Sequence, residues 1–242
     1  MSKLIKLCFG LAALASLTAL LPATASASNK ATVTHPTGTI APVPLKIIST
    51  NRETGGPHIV SRLTDINGNT LAACTTVTLF GTLIKNTHPA VEANITAAHF
   101  KGTPGVSPHT EHCEGSFGAV TVTPSTTKSI VNGLPWCLRS TEAMKTDEFQ
   151  VRGGLCTEAA RSIRFILDAA FGVECEYERT TPVVGTYTTH PTHAILHVEK
   201  QKFTRIRGGF PCPAEGFLDL TQQVFAETSA GVESPLWIDK VL

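Results

Sequence analysis

Apolar and polar residues alternate along most of this chain. Residues 75–83 and 119–123 set Thr against Val, Leu or Phe at a period of two, and Gly and Pro recur at short intervals between such runs. That pattern predicts short strands joined by tight turns. Residues 157–171 read two ways. Ala159, Ile163, Ile166, Leu167 and Ala170 recur at helical spacing with Gly172 placed to end a helix, while Ile163, Phe165 and Leu167 also alternate with Arg164 and Asp168. We read the segment as strand. No strand–helix–strand alternation is present, so the expected fold is all-β and mainly antiparallel, either a β-sandwich or two fused related β units.

A degenerate duplication supports the strand reading. Residues 74–117 and 175–217 carry the same landmarks in the same order. In the first copy these are Cys74, Gly81-Thr82, Thr87-His88-Pro89, Phe100, Cys113, Gly115 and Phe117. In the second they are Cys175, Gly185-Thr186, Thr189-His190-Pro191, Phe203, Cys212, Gly216 and Phe217. Val91, Ala93 and Ile95 answer Ala194, Leu196 and Val198 on one face of the strand before each Phe. Each copy is expected to be a hairpin turning near its Thr-His-Pro. The sequence Thr34-His35-Pro36 shows that this tripeptide alone also arises outside the copies.

The amino terminus changes the setting. Lys3 and Lys6 precede an uncharged apolar run over residues 7–21, and Ala25-Ser26-Ala27 follows Pro22. This reads as a secretory signal peptide over residues 1–27, too short and too interrupted for a retained membrane helix. Residues 28–44, with Pro36, Pro42 and Pro44, read as an extended leader that joins a sheet at 45–49. Residues 45–121 form the expected first β unit, 122–174 a connecting β segment, and 175–242 the second unit and tail. No transmembrane anchor is expected. Removing residues 1–27 takes two of the 20 bases and none of the 19 acids, leaving a net charge of about −1. With no basic excess, nucleic acid is not an expected partner.

Export also explains the cysteines. Without Cys8 six remain, Cys74, Cys113, Cys137, Cys156, Cys175 and Cys212, with no Cys-x-x-Cys pair to suggest zinc. A hairpin returning from each Thr-His-Pro brings the second cysteine of each copy back toward the first. The expected disulfides are therefore Cys74–Cys113 and Cys175–Cys212, with Cys137–Cys156 in the connecting segment.

The runs Cys74-Thr-Thr-Val-Thr-Leu-Phe-Gly-Thr and Ala93-Asn-Ile-Thr-Ala-Ala-His-Phe-Lys-Gly, then Cys113 and Asn132-Gly-Leu-Pro-Trp136, resemble the secreted family called protein activator of alkane oxidation, over residues 74–156. The mature chain as a whole is similar to uncharacterised secreted proteins of actinomycete-type bacteria. The resemblance implies an exported β protein of the cell surface or matrix that aids growth on hydrophobic substrates without being an oxidase. An additional cysteine pair and the second unit depart from it.

Candidate chemistry is sparse. His109 and His112, beside Glu111 and Cys113, form the best metal-like cluster, with His88 and His99 in the same unit, but Pro104, Gly105 and Pro108 mark a loop. His193 and His197 share a strand face. Glu174, Glu176 and Glu178 line one strand face opposite Cys175 and Tyr177, as a carboxylate pair for hydrolysis or calcium would, and Lys200 and Lys202 are expected to neutralise them across the hairpin. Gly-x-Ser-x-Gly is absent, and Gly153-Gly154 and Gly208-Gly209 suit turns. Trp136 is expected to pack against a disulfide rather than stack on sugar. The expected protein is therefore non-enzymatic and cofactor-free: a secreted structural or interaction protein that self-associates or binds cell-envelope components. The alternatives are a binding module for a hydrophobic molecule or glycan and, more weakly, a secreted hydrolase using Glu176, Glu178, His109 or His112.

Overall fold

A computed structural model describes residues 31–51, 59–87, 90–102, 112–116, 118–124, 133–141, 144, 147–189, 192–227 and 233–240. In chain order its strands are β1 (Ala31–Thr34), β2 (Leu45–Thr50), β3 (Ser61–Thr64), β4 (Thr70–Cys74), β5 (Thr76–Thr87), β6 (Ala90–Lys101), β7 (Cys113–Gly115), β8 (Gly118–Pro124) and β9 (Trp136–Thr141). They continue as β10 (Glu148–Gly153), β11 (Ile163–Ala169), β12 (Val173–Arg179), β13 (Val183–Thr189), β14 (Ala194–Arg207), β15 (Glu215–Glu227), β16 (Glu233–Pro235) and β17 (Trp237–Lys240). Among the described residues the helical content is a single 3-10 turn, Ala170–Gly172, and no helix is long and apolar enough to cross a membrane. The all-β antiparallel expectation is met, and residues 163–169 are strand.

The hydrogen-bonded order closes on itself twice. One ring runs β15-β2-β5-β6-β9-β10-β13-β14 and back to β15. The other runs β15-β3-β4-β7-β8-β11-β12-β14 and back to β15. The two rings are stacked as tiers, because β14 and β15 are long enough to serve both. Residues 194–197 of β14 pair with β13 and residues 204–207 with β12. With 14 residues, β14 spans about 45 Å at roughly 3.3 Å per residue. Between β2 and β13 the strands visit the tiers in consecutive pairs, β3 and β4 in one, β5 and β6 in the other and so on, so the chain meanders up and down one closed wall with breaks midway. Closure pairs both sides of each ring strand and so removes the exposed edges of an open sheet.

Alternation decides which face is inside. Val91, Ala93 and Ile95 of β6 and Ala194, Leu196 and Val198 of β14 are buried, while outward positions carry Glu92, Asn94, His197 and Glu199. Apolar-in and polar-out is the reverse of a lipid-facing barrel. On β11 the strand period wins because Ile163, Phe165 and Leu167 all reach this interior when β8 and β12 pair on either side. Gly185 fits its register because Phe149 lies across it; a Cβ there would collide with the Phe149 ring.

Two buried polar side chains hold the breaks between tiers. Fully buried Asn51, just after β2, accepts from Val77 N at 2.7 Å and donates to Ile59 O at 2.8 Å. Buried Arg152 donates to the carbonyls of Cys156 and Glu158 at 3.1 and 2.8 Å, fixing the turn between β10 and β11. Both satisfy backbone groups that leave the ladder where the chain changes tier.

The disulfides are Cys74–Cys113, Cys137–Cys156 and Cys175–Cys212, with Cα separations of 4.6, 4.8 and 5.7 Å. These are the three expected pairs. Thr87 ends β5 and Thr189 ends β13, and the hairpins β5–β6 and β13–β14 lie in the same tier; His88, Pro89, His190 and Pro191 lie outside the described residues. The stretch read as an extended leader contains a buried strand, β1, that pairs with β17.

Candidate functional site

The site begins with the inward positions of both tiers. Phe149 and Val151 of β10, Leu196 and Val198 of β14, and Phe165 and Phe203 from the second tier surround a cavity of about 160 Å³. Phe203 packs edge-to-face on Phe165 with ring centroids 4.9 Å apart, and Phe165 stacks on Tyr177 at 5.7 Å. No polar atom reaches the cavity surface. Ser49, Ser61, Arg62 and Gln222 border it, with Ser49 Oγ donating to Gln222 Oε1 at 3.3 Å. A void of about 150 Å³ with such a lining stays dry and accepts a benzene-sized guest.

One end of this lumen is closed by a ribbon made from both ends of the described chain. β1 and β17 pair outside the main sheet, and Val33, Leu236 and Ile238 of this ribbon border the cavity. Buried Asn86 of β5 clamps it. Its Oδ1 accepts from Val33 N at 2.8 Å, and its Nδ2 donates to Val33 O at 2.8 Å and to Ala41 O at 2.9 Å. Ala194 N donates to Leu236 O at 2.6 Å and Leu236 N to Val224 O at 3.1 Å, which fastens the other strand.

The opposite end carries the turns β3–β4, β7–β8 and β11–β12 and the β14–β15 loop. Cys175–Cys212 ties the last two together, and the Tyr177 hydroxyl donates to Pro213 O at 3.0 Å. Burial pushes the Tyr177 phenol up to about 12, with the Asp65 carboxylate adding to the rise and Arg205 opposing it. The Asp65 carboxylate caps the β3–β4 turn, accepting from Asn67 N, Asn69 N and Asn69 Nδ2, and these bonds hold it below the usual carboxylate range.

Among the described residues, the predicted histidines and glutamates do not line the lumen. His109 is outside the described residues. His112 is exposed and bonds Thr121 through Nδ1 at 2.8 Å, His197 does the same with Thr221, and His99 packs on Phe80. Among the described residues no three His, Cys, Asp or Glu side chains gather where a metal could be held. Two of the three glutamates of β12 pair with arginines: Glu178 meets Arg164 at 2.8 Å and Glu174 meets Arg207 at 3.0 Å. Burial raises the Glu178 carboxyl, but bonds from Ser162 and Arg164 outweigh it and leave the group below its ordinary value.

The expected lysine partners are a correction. Lys202 pairs with Glu215, and Lys200 N donates to Asp219 Oδ1 at 2.9 Å. The β12–β14 register sets Thr204, Arg205 and Arg207 against Glu178, Tyr177 and Glu176, so Lys200 and Lys202 lie beyond the paired stretch. The shallow cleft beside Glu174 and Arg207 includes neither Glu176 nor Glu178. Trp136 is buried at the start of β9 next to disulfide-bonded Cys137, with its ring against the lumen.

Sequence reasoning missed the lumen itself and its Asn86 clamp. The alternation in β6, β11 and β14 was the available signal for a one-sided apolar wall; that eight strands would close around it was not visible. Compared with known families, curated proteins and solved structures, the chain has no match in any of the three.

Proposed function

We propose that this is a secreted binding protein that carries a small, wholly apolar molecule in the lumen of its closed β wall. The observation that carries this reading is the cavity of about 160 Å³ whose surface is apolar throughout. An interior of this kind discriminates by size and by the absence of polar groups, because a hydroxyl or carboxylate brought into it would lose its hydrogen bonds to water without replacement, at about 1–3 kcal/mol by protein measurements. Three disulfides and the lysine-flanked leader support export to an oxidising compartment.

An internal duplication also fits the arrangement. The matched positions Val91, Ala93 and Ile95 and their counterparts Leu196 and Val198 all border the lumen, as do the matched Phe100 and Phe203.

Thermal unfolding in the presence of benzene, short alkanes, fatty acids and cell-wall glycans tests the proposal. Benzene or a short alkane should raise the midpoint in a concentration-dependent way, whereas glycans should not. Ala93→Leu, which fills the lumen from β6, should abolish the shift while leaving a cooperative transition. No shift with any apolar compound, or an equal shift in the filled variant, would refute it.

A further inference from the structure

At the end opposite the β1–β17 ribbon, apolar side chains stand out at loop tips. Phe171 in the β11–β12 turn and Phe210 in the β14–β15 loop are each fully exposed, and Ile66 at the β3–β4 turn is 74% exposed. The two Phe loops face one another across one shallow cleft, lined by Gly172, Val173 and Glu174 on one side and by Gly208, Gly209 and Phe210 on the other. The β3–β4 turn lies alongside, since Thr64 is in register with Phe217 at the start of β15.

Phe171 is held where an aromatic residue is ill suited. Its φ of 65° and the 73° of Gly172 form a left-handed pair. Asn or Gly adopts this turn at least cost, and a bulky side chain there is an outlier. The ring buries nothing within the chain in return. The platform beneath it is nonetheless rigid: Cys175–Cys212 joins the two loops, Glu174 and Arg207 are ion-paired at 3.0 Å, and Arg205 donates to the carbonyl of Cys212. Conformational cost, full exposure and a braced base together indicate that the ring is covered by something outside the chain.

We propose that this end docks on a neutral, zwitterionic lipid bilayer, with the Phe171 and Phe210 rings seated at headgroup depth. The two fully exposed rings project from loop tips on either side of this cleft, and a fluid interface closes around each one. The charges at the rim select the kind of membrane. Arg205 and Arg207 are outnumbered by Asp65, Glu114, Asp168 and Glu174, with Arg207 and Glu174 already paired, so the rim offers no net attraction to anionic lipid. This proposal does not depend on the lumen holding a ligand.

The test compares the full chain with Phe171→Asn/Phe210→Ser in flotation with phosphatidylcholine vesicles. Both proteins share the same amino terminus, so the difference between them reads the two rings. The variant should bind roughly tenfold or more weakly, while its unfolding midpoint is equal to or above that of the wild type, because Asn suits the turn. Adding phosphatidylserine or raising the salt should change wild-type binding little. In a separate variant, Phe210→Trp, the emission gained over the wild type should move to the blue when vesicles are added. Equal flotation of wild type and double variant, binding that requires phosphatidylserine, or an unshifted emission from the Phe210→Trp variant would overturn the proposal. So would a self-associated wild type that becomes monomeric in the double variant, since a second copy would then be the cover.

Discussion

Asn86 grips Val33 from both sides of one residue, accepting from its N–H and donating to its carbonyl, each at 2.8 Å. One side chain on β5 thereby substitutes for a missing strand neighbour and holds the ribbon across the lumen mouth. Truncation leaves the buried Val33 groups without these bonds. Asn86→Ala should lower stability by about 2–4 kcal/mol, read from the urea midpoint at unchanged slope. It should also speed release of a bound apolar probe in stopped-flow dilution, because the ribbon it fastens covers the lumen. An unchanged release rate would show that guests pass elsewhere.

Phe203 sits where the tiers meet and contacts Phe165 edge-to-face. Phe203→Ala should cost about 3–5 kcal/mol, the range for deleting a buried aromatic with partial collapse. Because the deleted volume adjoins an existing cavity, the same variant should take up larger apolar guests than the wild type. Calorimetric titration across a series of alkylbenzenes would reveal the shift in preferred size.

The fully buried Tyr177 makes stability fall at high pH. Its phenol is raised from 10.0 to about 12 in the folded chain, mainly by burial. The neutral form is therefore favoured in the folded state. The associated stabilisation is complete below the unfolded value near 10 and disappears as the pH climbs toward 12. Denaturant midpoints should decline through that window. Tyr177→Phe should start lower, having lost the bond to Pro213, yet decline less steeply.

Peptide mapping without reductant should recover Cys74 linked to Cys113, Cys137 to Cys156 and Cys175 to Cys212. Replacing Cys175 and Cys212 together with Ser reopens a loop of 37 residues in sequence separation. On loop-entropy grounds the loss is about 3–4 kcal/mol. It should be largest for the β11–β12 and β14–β15 connections, visible as increased amide exchange around Phe171 and Phe210 before global unfolding.

Short-range pattern carried a good deal of this molecule. Thr/Val alternation with frequent Gly and Pro is enough for an all-β fold, because period-two burial and turn chemistry are local properties of the chain. The repeated Cys and Thr-His-Pro landmarks likewise lead to the disulfide pairs, since a hairpin is itself a local structure. Residues 157–171 fit both periods in the sequence, the strand reading there leans on the duplication, and pairing with β8 and β12 decided 163–169.

Tertiary structure decided the rest. Closure of both rings depends on β14 and β15 meeting partners far away in sequence, Ser49 with Val224 and Leu63 with Leu218. Ring closure is a property of the whole wall, so no local pattern encodes it. The salt-bridge partners of Glu174 and Glu178 depended in the same way on register: Arg164 of β11 lies opposite Glu178, and β14 meets β12 through residues 204–207 rather than through Lys200 and Lys202. The lumen is the clearest case. Each strand specifies an apolar face, but whether those faces meet in solid packing or surround a void is set by the radius at which eight of them close.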